Sequence, residues 1–302
     1  MSNLYQQISS NNRKTYFLIF SFLILFIILG WFLSYLFQTP GLLIIAVIFS
    51  VLMSFLSYWY SDKIVLKLTK AQPIKKDDFR ELFNIVENLS IASGIQSPKI
   101  YLMQEEQPNA FATGRDEKNS VIAVTTGLLK LLDKNEIEGV ISHELSHIKN
   151  RDILLSAVVV VLVGVIVVVS DLVIRLTFWG GLKNKNSDSR SSIGVLLTII
   201  GFLFIILSPI LAKIIQFAVS RKREFLADSS AVLLTRYPEG LINALEKINN
   251  YPHSAKIANN AVAHLFIANP FRRQNDKNFL VKLFSTHPSI EERITKLREI
   301  II

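Results

Sequence analysis

Four stretches without a charged residue punctuate the chain: Tyr16–Phe37, Gly41–Tyr60, Ile153–Ser170 and Ile193–Ala212, of 22, 20, 18 and 20 residues. A helix needs about 20 residues to cross a hydrocarbon layer of ~30 Å, and in lipid the backbone must bond to itself, so each run predicts a membrane-spanning helix. Only Gln38-Thr39-Pro40 separates the first two. They read as a helical hairpin retained in the protein, because the first run is too long for the apolar core of a signal peptide. The third continues past Asp171 to about residue 174, and the fourth contains Pro209, which membrane helices tolerate. For this second pair, at about 153–174 and 193–212, a buried or re-entrant hairpin is the competing reading.

Elsewhere the pattern is that of a folded domain. Phe79, Leu82, Phe83, Val86 and Leu89 recur at helical spacing after Asp78-x-x-Glu81, an acidic capping pattern, and Gly94 ends that helix. Lys99–Met103 reads as a strand, and Asn109–Gly114 with Ser120–Thr125 as a β-hairpin about residues 115–119. Asn135–Asn150, Phe217–Leu234, Pro238–Asn250 and Ser289–Ile301 read as helices. The predicted fold is mainly α with a small β-hairpin or sheet, in a multi-span helical membrane protein. Residues 1–60 carry the first membrane hairpin (16–37 and 41–60), 153–212 carry the second, and 61–152 and 213–302 are two parts of one domain.

Composition agrees. Of 302 residues, 50% are hydrophobic and 19% charged, below the about 25% of soluble proteins. Disorder, collagen and nucleic-acid scaffolds are excluded, and the absence of cysteine excludes disulfides, thiolate metal sites and a cysteine nucleophile. The net charge of +9 is unevenly spread: residues 61–153 hold 13 basic against 14 acidic side chains, residues 213–302 hold 14 against 8. The run Arg221-Lys222-Arg223 near a membrane exit reads as a contact with anionic lipid or a topology signal. Arg13 and Lys14 precede the first run, Lys63, Lys67 and Lys70 follow the second, and the loop between is uncharged. By the positive-inside rule both chain ends, and both parts of the folded domain, lie in the cytosol.

The candidate chemistry lies at His143-Glu144-Leu145-Ser146-His147. Two histidines four apart share one helix face and can present ring nitrogens to one metal, with Glu144 one step round as general base toward a water. The extended motif with a third histidine is absent, because Asn150 and Ile153 stand where glycine and histidine would be. A carboxylate from a second helix is the alternative, and Glu224 is the candidate. Asp228 lies four further on, where it could accept a hydrogen bond from a ligand imidazole. The competing reading pairs both carboxylates with Arg221 and Arg223. His287 could stabilise an oxyanion or simply pack ahead of the last helix; His253 and His264 read as structural or solvated.

These residues resemble the HtpX family of bacterial membrane zinc metalloproteases, more distantly the CAAX prenyl proteases, over nearly the whole chain. The resemblance rests on the His143–His147 motif, on Asn109-Ala110-Phe111-Ala112-Thr113-Gly114, on Ser220–Asp228, and on Thr286-His287-Pro288 followed by Arg293-Ile294. Phe225 stands where tyrosine is expected more often. The resemblance implies a zincin-like (gluzincin) protease domain, one zinc ion held by His143, His147 and Glu224, and an edge strand at Asn109, Ala110, Phe111 and Ala112 that pairs with substrate backbone. It implies proteolytic quality control of membrane proteins in the bacterial cytoplasmic (inner) membrane. The expected partners are unstable membrane proteins or unfolded polypeptides and membrane lipids, with no nucleic acid; self-cleavage is permitted by the exposed strand and nearby loops. Two alternatives remain at this stage: a narrow-specificity prenyl-protein protease, and a membrane scaffold with structural zinc.

Overall fold

A computed structural model describes residues 4–175, 221–252, 265, 267 and 288–300, so the fourth apolar run, the loop 176–192 and His287 lie outside the described residues. Helices α1 (Leu4–Phe37) and α2 (Gly41–Trp59) form the first hairpin, turning through Gln38 at φ 50°. α1 begins well before the charge-free run, so Asn11, Arg13 and Lys14 lie within it rather than ahead of it. The pair packs through small groups. A Cβ on Gly30 would lie 2.2 Å from that of Ala46, and the buried positions of α2 are Ser50, Ser54 and Ser57. Small residues at these positions let the two backbones approach closely. Many large side chains point outward, with Phe17, Phe20, Trp31, Ile45, Ile48 and Phe55 exposed, while Phe22 and Phe26 turn inward and Phe26 packs on Phe49. Both helices are long and apolar enough to cross a membrane.

After the short α3 (Ser61–Leu68) the chain enters a mixed α/β unit. β1 (Gln72–Pro73), β2 (Lys99–Met103), β3 (Ala110–Gly114) and β4 (Ser120–Thr125) form a four-stranded sheet of order β1-β2-β4-β3. β2 and β4 are parallel, β3 and β4 antiparallel with Ala110 opposite Val124 and Gly114 opposite Ser120. β3 is therefore an edge. α4 (Arg80–Ser93) starts later than the acidic pattern suggests. Phe79 takes the N-cap position without a side-chain cap and its ring packs on the core, so burial and not the Asp78 carboxylate sets the start. Gly94 ends the helix in the left-handed region, as expected.

The sheet is covered on both faces. Ile100, Leu102, Ile122 and Val124 join α4, the short α5 (Thr126–Leu131) and α6 (Lys134–Lys149) in the main core, with α8 (Arg221–Thr235), α9 (Pro238–Asn250) and α10 (Ile290–Arg298). Met103, Phe111, Val121 and Ala123, on the other face, pack on Val65 and Leu66 of α3 and on Ala157 and Val160 of α7 (Asp152–Arg175). The opposite side of α7, with Leu155, Val158, Val159 and Leu162, meets Leu18, Phe22 and Phe26 of α1. Nearly every side chain from Ile153 to Val163 is buried between sheet and hairpin. Burial on every side is enough to make this stretch charge-free, whether or not lipid lies further along. The helix is continuous over 24 residues, about 36 Å.

Candidate active site

α6 is fixed at its start by a reciprocal capping box: Asp133 accepts from the Glu136 N–H at 3.0 Å, and the Glu136 carboxylate accepts from the Asp133 N–H at 2.8 Å. Gly139 lets α9 approach closely, since a Cβ there would lie 2.7 Å from the Leu241 nitrogen. His143 and His147 then fall one turn apart on the same side of α6, with their rings almost perpendicular and their Nε2 atoms 3.2 Å apart. Glu224, in the first turn of α8, places one oxygen 3.7 Å from His143 Nε2 and the other 3.7 Å from His147 Nε2. Ligand atoms of these three residues all lie within 4.8 Å of one another. His143 and Glu224 are buried, His147 half-buried.

Each imidazole turns its Nδ1 to a different carboxylate. His143 Nδ1 lies 2.9 Å from Asp228 Oδ1, and His147 Nδ1 lies 3.0 Å from Asp152 Oδ2. With Nδ1 engaged in this way, both Nε2 atoms face the common point beside Glu224. A two-histidine, one-carboxylate set with outer-side carboxylates fits a metal ion that takes nitrogen and oxygen donors. The carboxylates are themselves anchored. Arg293, fully buried on α10, donates Nε to Asp228 Oδ2 at 2.8 Å and an NH2 hydrogen to Oδ1 at 2.6 Å. Arg223 NH1 donates to Asp152 Oδ1 at 3.0 Å.

The electrostatics follow from burial and these charges. Burial and the nearby Arg293 hold His143 below the usual imidazole range. Burial also opposes the His147 imidazolium, yet the Asp152 hydrogen bond with Glu224 and Glu144 overrides it and lifts the group to about 9. The Glu144 carboxyl is pushed up to about 7, by burial first and by Glu224, against the pull of His147 and of the Ala112 N–H, which hydrogen-bonds it. Burial would raise Asp228 as well, but Arg293 and the His143 contact bring it down to about 2.

The structure thus brings His143, Glu144, His147, Glu224 and Asp228 into one cluster. Asn109 lies just ahead of edge strand β3 and Ala110, Phe111 and Ala112 begin it; the strand meets the cluster where the Ala112 N–H bonds Glu144, and it is buried rather than exposed as the sequence suggested. Asn109 is tied at both ends: its N–H donates to Thr125 Oγ1 at 2.9 Å and its side-chain oxygen accepts from the Ile267 N–H at 2.9 Å. His287 lies outside the described residues. Neither arginine is used as the competing reading held, because Arg223 goes to Asp152 and Arg221 lies 4.0 Å from Glu292. The basic run is therefore not a uniform lipid-facing patch: Arg221 is exposed and Arg223 is turned inward.

Three residues escaped the sequence reading: Asp152, Arg223 in this role, and Asn11. Asp152 returns to His147 because α6 does not run on into α7. The helix stops at Asn150, and Arg151 takes the left-handed conformation at φ 56°, a costly choice for a residue with a Cβ. The available signal was an aspartate immediately ahead of an apolar run and five residues past the second histidine.

Known proteins share this arrangement of sequence. Residues 76–301 match the model of Peptidase family M48. A "Protease HtpX homolog" of Thermoanaerobacter pseudethanolicus is 43% identical over 299 residues, covering 98% of each chain. That of Streptococcus gordonii is 38% identical over 299 residues, covering 98% of this chain and 99% of its own. Among solved structures, the crystal structure of S. mikatae Ste24p superposes with a TM-score of 0.50 at 18% identity, covering 97% of this chain and 67% of that one, a likeness of fold. Relatives of such identity along nearly the full length, in the same family as the candidate metal-binding residues suggest, establish that the chain belongs to Peptidase family M48 and is a metallopeptidase of the HtpX type.

Proposed function

We propose that the protein is an integral-membrane zinc endopeptidase whose active site faces the cytosol and cuts extended, juxtamembrane segments of unstable membrane proteins. The observation that carries this reading is the convergence of His143, His147 and Glu224 from two helices beside a buried Glu144. His143 Nε2, His147 Nε2 and the Glu224 carboxylate would hold one zinc ion, which when bound supplies Lewis acidity toward the scissile carbonyl and the attacking water. Glu144 acts as general base toward that water and returns the proton to the leaving amine, a task suited to a carboxyl raised to about 7. Asp228 and Asp152 keep each imidazole in the tautomer that leaves Nε2 free. β3, last in the strand order but buried in this structure, would pair with an extended chain by strand addition once its outer edge is uncovered, with the Ala112 N–H, now bonded to Glu144, as one of its donors. Backbone pairing reads few side chains, so specificity is broad.

Placement at the membrane surface has structural support. Tyr16, Tyr58, Trp59 and Tyr60 lie at one end of the hairpin and Trp31 and Tyr35 towards the other. Along α1 the interval from Tyr16 to Tyr35 is about 28 Å, close to the hydrocarbon thickness between aromatic belts. Asn11 lies only ~8 Å along the same helix beyond Tyr16 and hydrogen-bonds Asp152, the partner of His147. α1 and α7 leave that point side by side into a shared apolar cluster, consistent with α7 entering the bilayer in the same direction. Arg13, Lys14, Lys63 and Lys67 sit at this end, which favours the cytosolic side. On this reading residues 61–152 and 213–302 are two parts of one protease domain.

The test is the purified full-length protein in detergent or liposomes. Glu144→Gln keeps bound zinc and loses nearly all cleavage of casein, and a chelator abolishes cleavage by the parent. Products from a reconstituted multi-span substrate end in its cytosolic loops. Turnover by zinc-replete Glu144→Gln, or cuts clustered within the substrate's spans, would overturn the reading.

A further inference from the structure

We infer that Asn11, on the membrane helix α1, is a positioning residue of the active site, acting through Asp152 on His147. The inference rests on the proposed role of His147 as a ligand. Asn11 is 2% exposed, a buried amide on a helix whose outward faces are apolar. Its Nδ2 donates to the Asn150 carbonyl at 3.0 Å and to Asp152 Oδ1 at 2.6 Å. Both partners are acceptors, which fixes the orientation of the amide. Its Oδ1 faces the Arg223 guanidinium, with NH1 at 3.4 Å.

The reason for an amide here emerges beside the other histidine. Asp228 receives two bonds from one guanidinium, one on each oxygen. Asp152 receives one bond from Arg223, and on Oδ1 only. The second bond to that oxygen comes from Asn11. Together they occupy Oδ1 and leave Oδ2 to accept from His147 Nδ1. Asn11 also takes up the Asn150 carbonyl, one of the acceptors that the end of α6 leaves without an intrahelical donor. It thereby holds the Asn150–Arg151 break from which Asp152 turns back. A helix that only anchored the chain in lipid would have no use for this side chain; here α1 completes the support of the metal-binding histidine.

The experiment measures zinc affinity by chelator competition and the visible spectrum of the cobalt-substituted protein, using full-length protein in detergent. Asn11→Ala is expected to lose about 3- to 10-fold in affinity, less than the roughly 10- to 100-fold of a partner bonded directly to a ligand, and to shift the cobalt bands. Phe22→Ala, which loosens α1 against α7 without touching the polar cluster, should leave both readouts at the parent value. In an Asp152→Asn background, Asn11→Ala should add little further loss, because the residue acts through the one already changed. If Asn11→Ala does not fold, Asn11→Leu keeps the volume, removes both polar atoms and carries the same expectations. Parent-like affinity and cobalt spectrum in the Asn11 variant, equal shifts in Phe22→Ala, or strictly additive losses in the double variant would each overturn the inference. Failure of the underlying reading is distinct: His147→Ala would then bind zinc as tightly as the parent.

Discussion

His143 and His147 sit one turn apart on the same helix, yet they are held by different parts of the molecule. His143 leans on Asp228, and Asp228 is gripped on both oxygens by Arg293, a side chain fully buried on the C-terminal helix. His147 leans on Asp152, whose outer oxygen is shared by Arg223 and by Asn11 of α1, the first helix of the apolar hairpin. One arm is a single bidentate ion pair inside the protein core. The other is assembled from three segments distant in sequence, one of them in the apolar hairpin of α1 and α2. The same function, orienting an imidazole, is met once by geometry within one side chain and once by tertiary assembly. The first arm should fail abruptly and the second in steps.

The largest difference should come from deleting the two arginines. Arg293→Ala strands the Asp228 carboxylate in the core, and removing one partner of a buried pair costs about 3–5 kcal/mol. Arg223→Ala leaves Asp152 still bonded to Asn11 and His147, so the loss of one charged hydrogen bond should cost roughly 1.5–3 kcal/mol. Urea unfolding of the two full-length variants in the same detergent checks the order. Equal losses, or a larger one for Arg223→Ala, would break the comparison.

Next come the carboxylates. Asp228→Asn and Asp152→Asn each replace the carboxylate that fixes a histidine by a neutral amide with one acceptor fewer, and each should weaken zinc binding by about 10- to 100-fold. Stability should separate them. Asp228→Asn leaves the guanidinium of Arg293, 0% exposed, without its counter-charge, whereas Arg223 retains a 12% exposed side chain able to reach water. Chelator competition and unfolding on both variants would show similar affinity losses and a markedly larger stability loss for Asp228→Asn.

The two arms also differed in how far the sequence revealed them. His143, Glu144 and His147 declare themselves because one helical turn brings positions i and i+4 together, and Glu224 and Asp228 repeat that spacing. Local periodicity carries this information. The Asp228 arm needs one long-range fact, the docking of Arg293, and only the family resemblance pointed to that residue. The Asp152 arm was not legible. It depends on a helix break at a non-glycine residue, Arg151, and on a contact between residues 11 and 152, neither of which any period encodes. Arg223 was misread for the same reason: a basic run beside an apolar run has the composition of a lipid contact, and only the fold turns Arg223 inward and Arg221 outward. Strands β2, β3 and β4 and helices α4, α6 and α9 were read to within about two residues, since alternation and the 3.6 period act locally, whereas the short α3, α5 and β1 were not read. The third apolar run was ambiguous for a physical reason, because burial between a sheet and a hairpin removes charges as completely as lipid does.

The smallest expected effect is the sharpest probe of the geometry. Lysine keeps the positive charge of arginine but offers one compact ammonium in place of a planar fork, so it cannot reproduce a bond to each oxygen of one carboxylate. Arg293 uses two separate nitrogens on Asp228, Nε and NH2. Arg293→Lys should therefore lose much of what Arg293→Ala loses. Arg223 reaches Asp152 through NH1 alone, and a lysine ammonium can occupy that position while Asn11 continues to hold the same oxygen. Arg223→Lys should cost less than about 1 kcal/mol, the range of a neutral hydrogen-bond adjustment, with zinc affinity within about twofold of the parent. The comparison requires that the two conservative substitutions differ. If Arg223→Lys lowers stability and zinc affinity as much as Arg293→Lys does, the guanidinium shape matters equally on both arms, and the division into a bidentate and an assembled support is wrong.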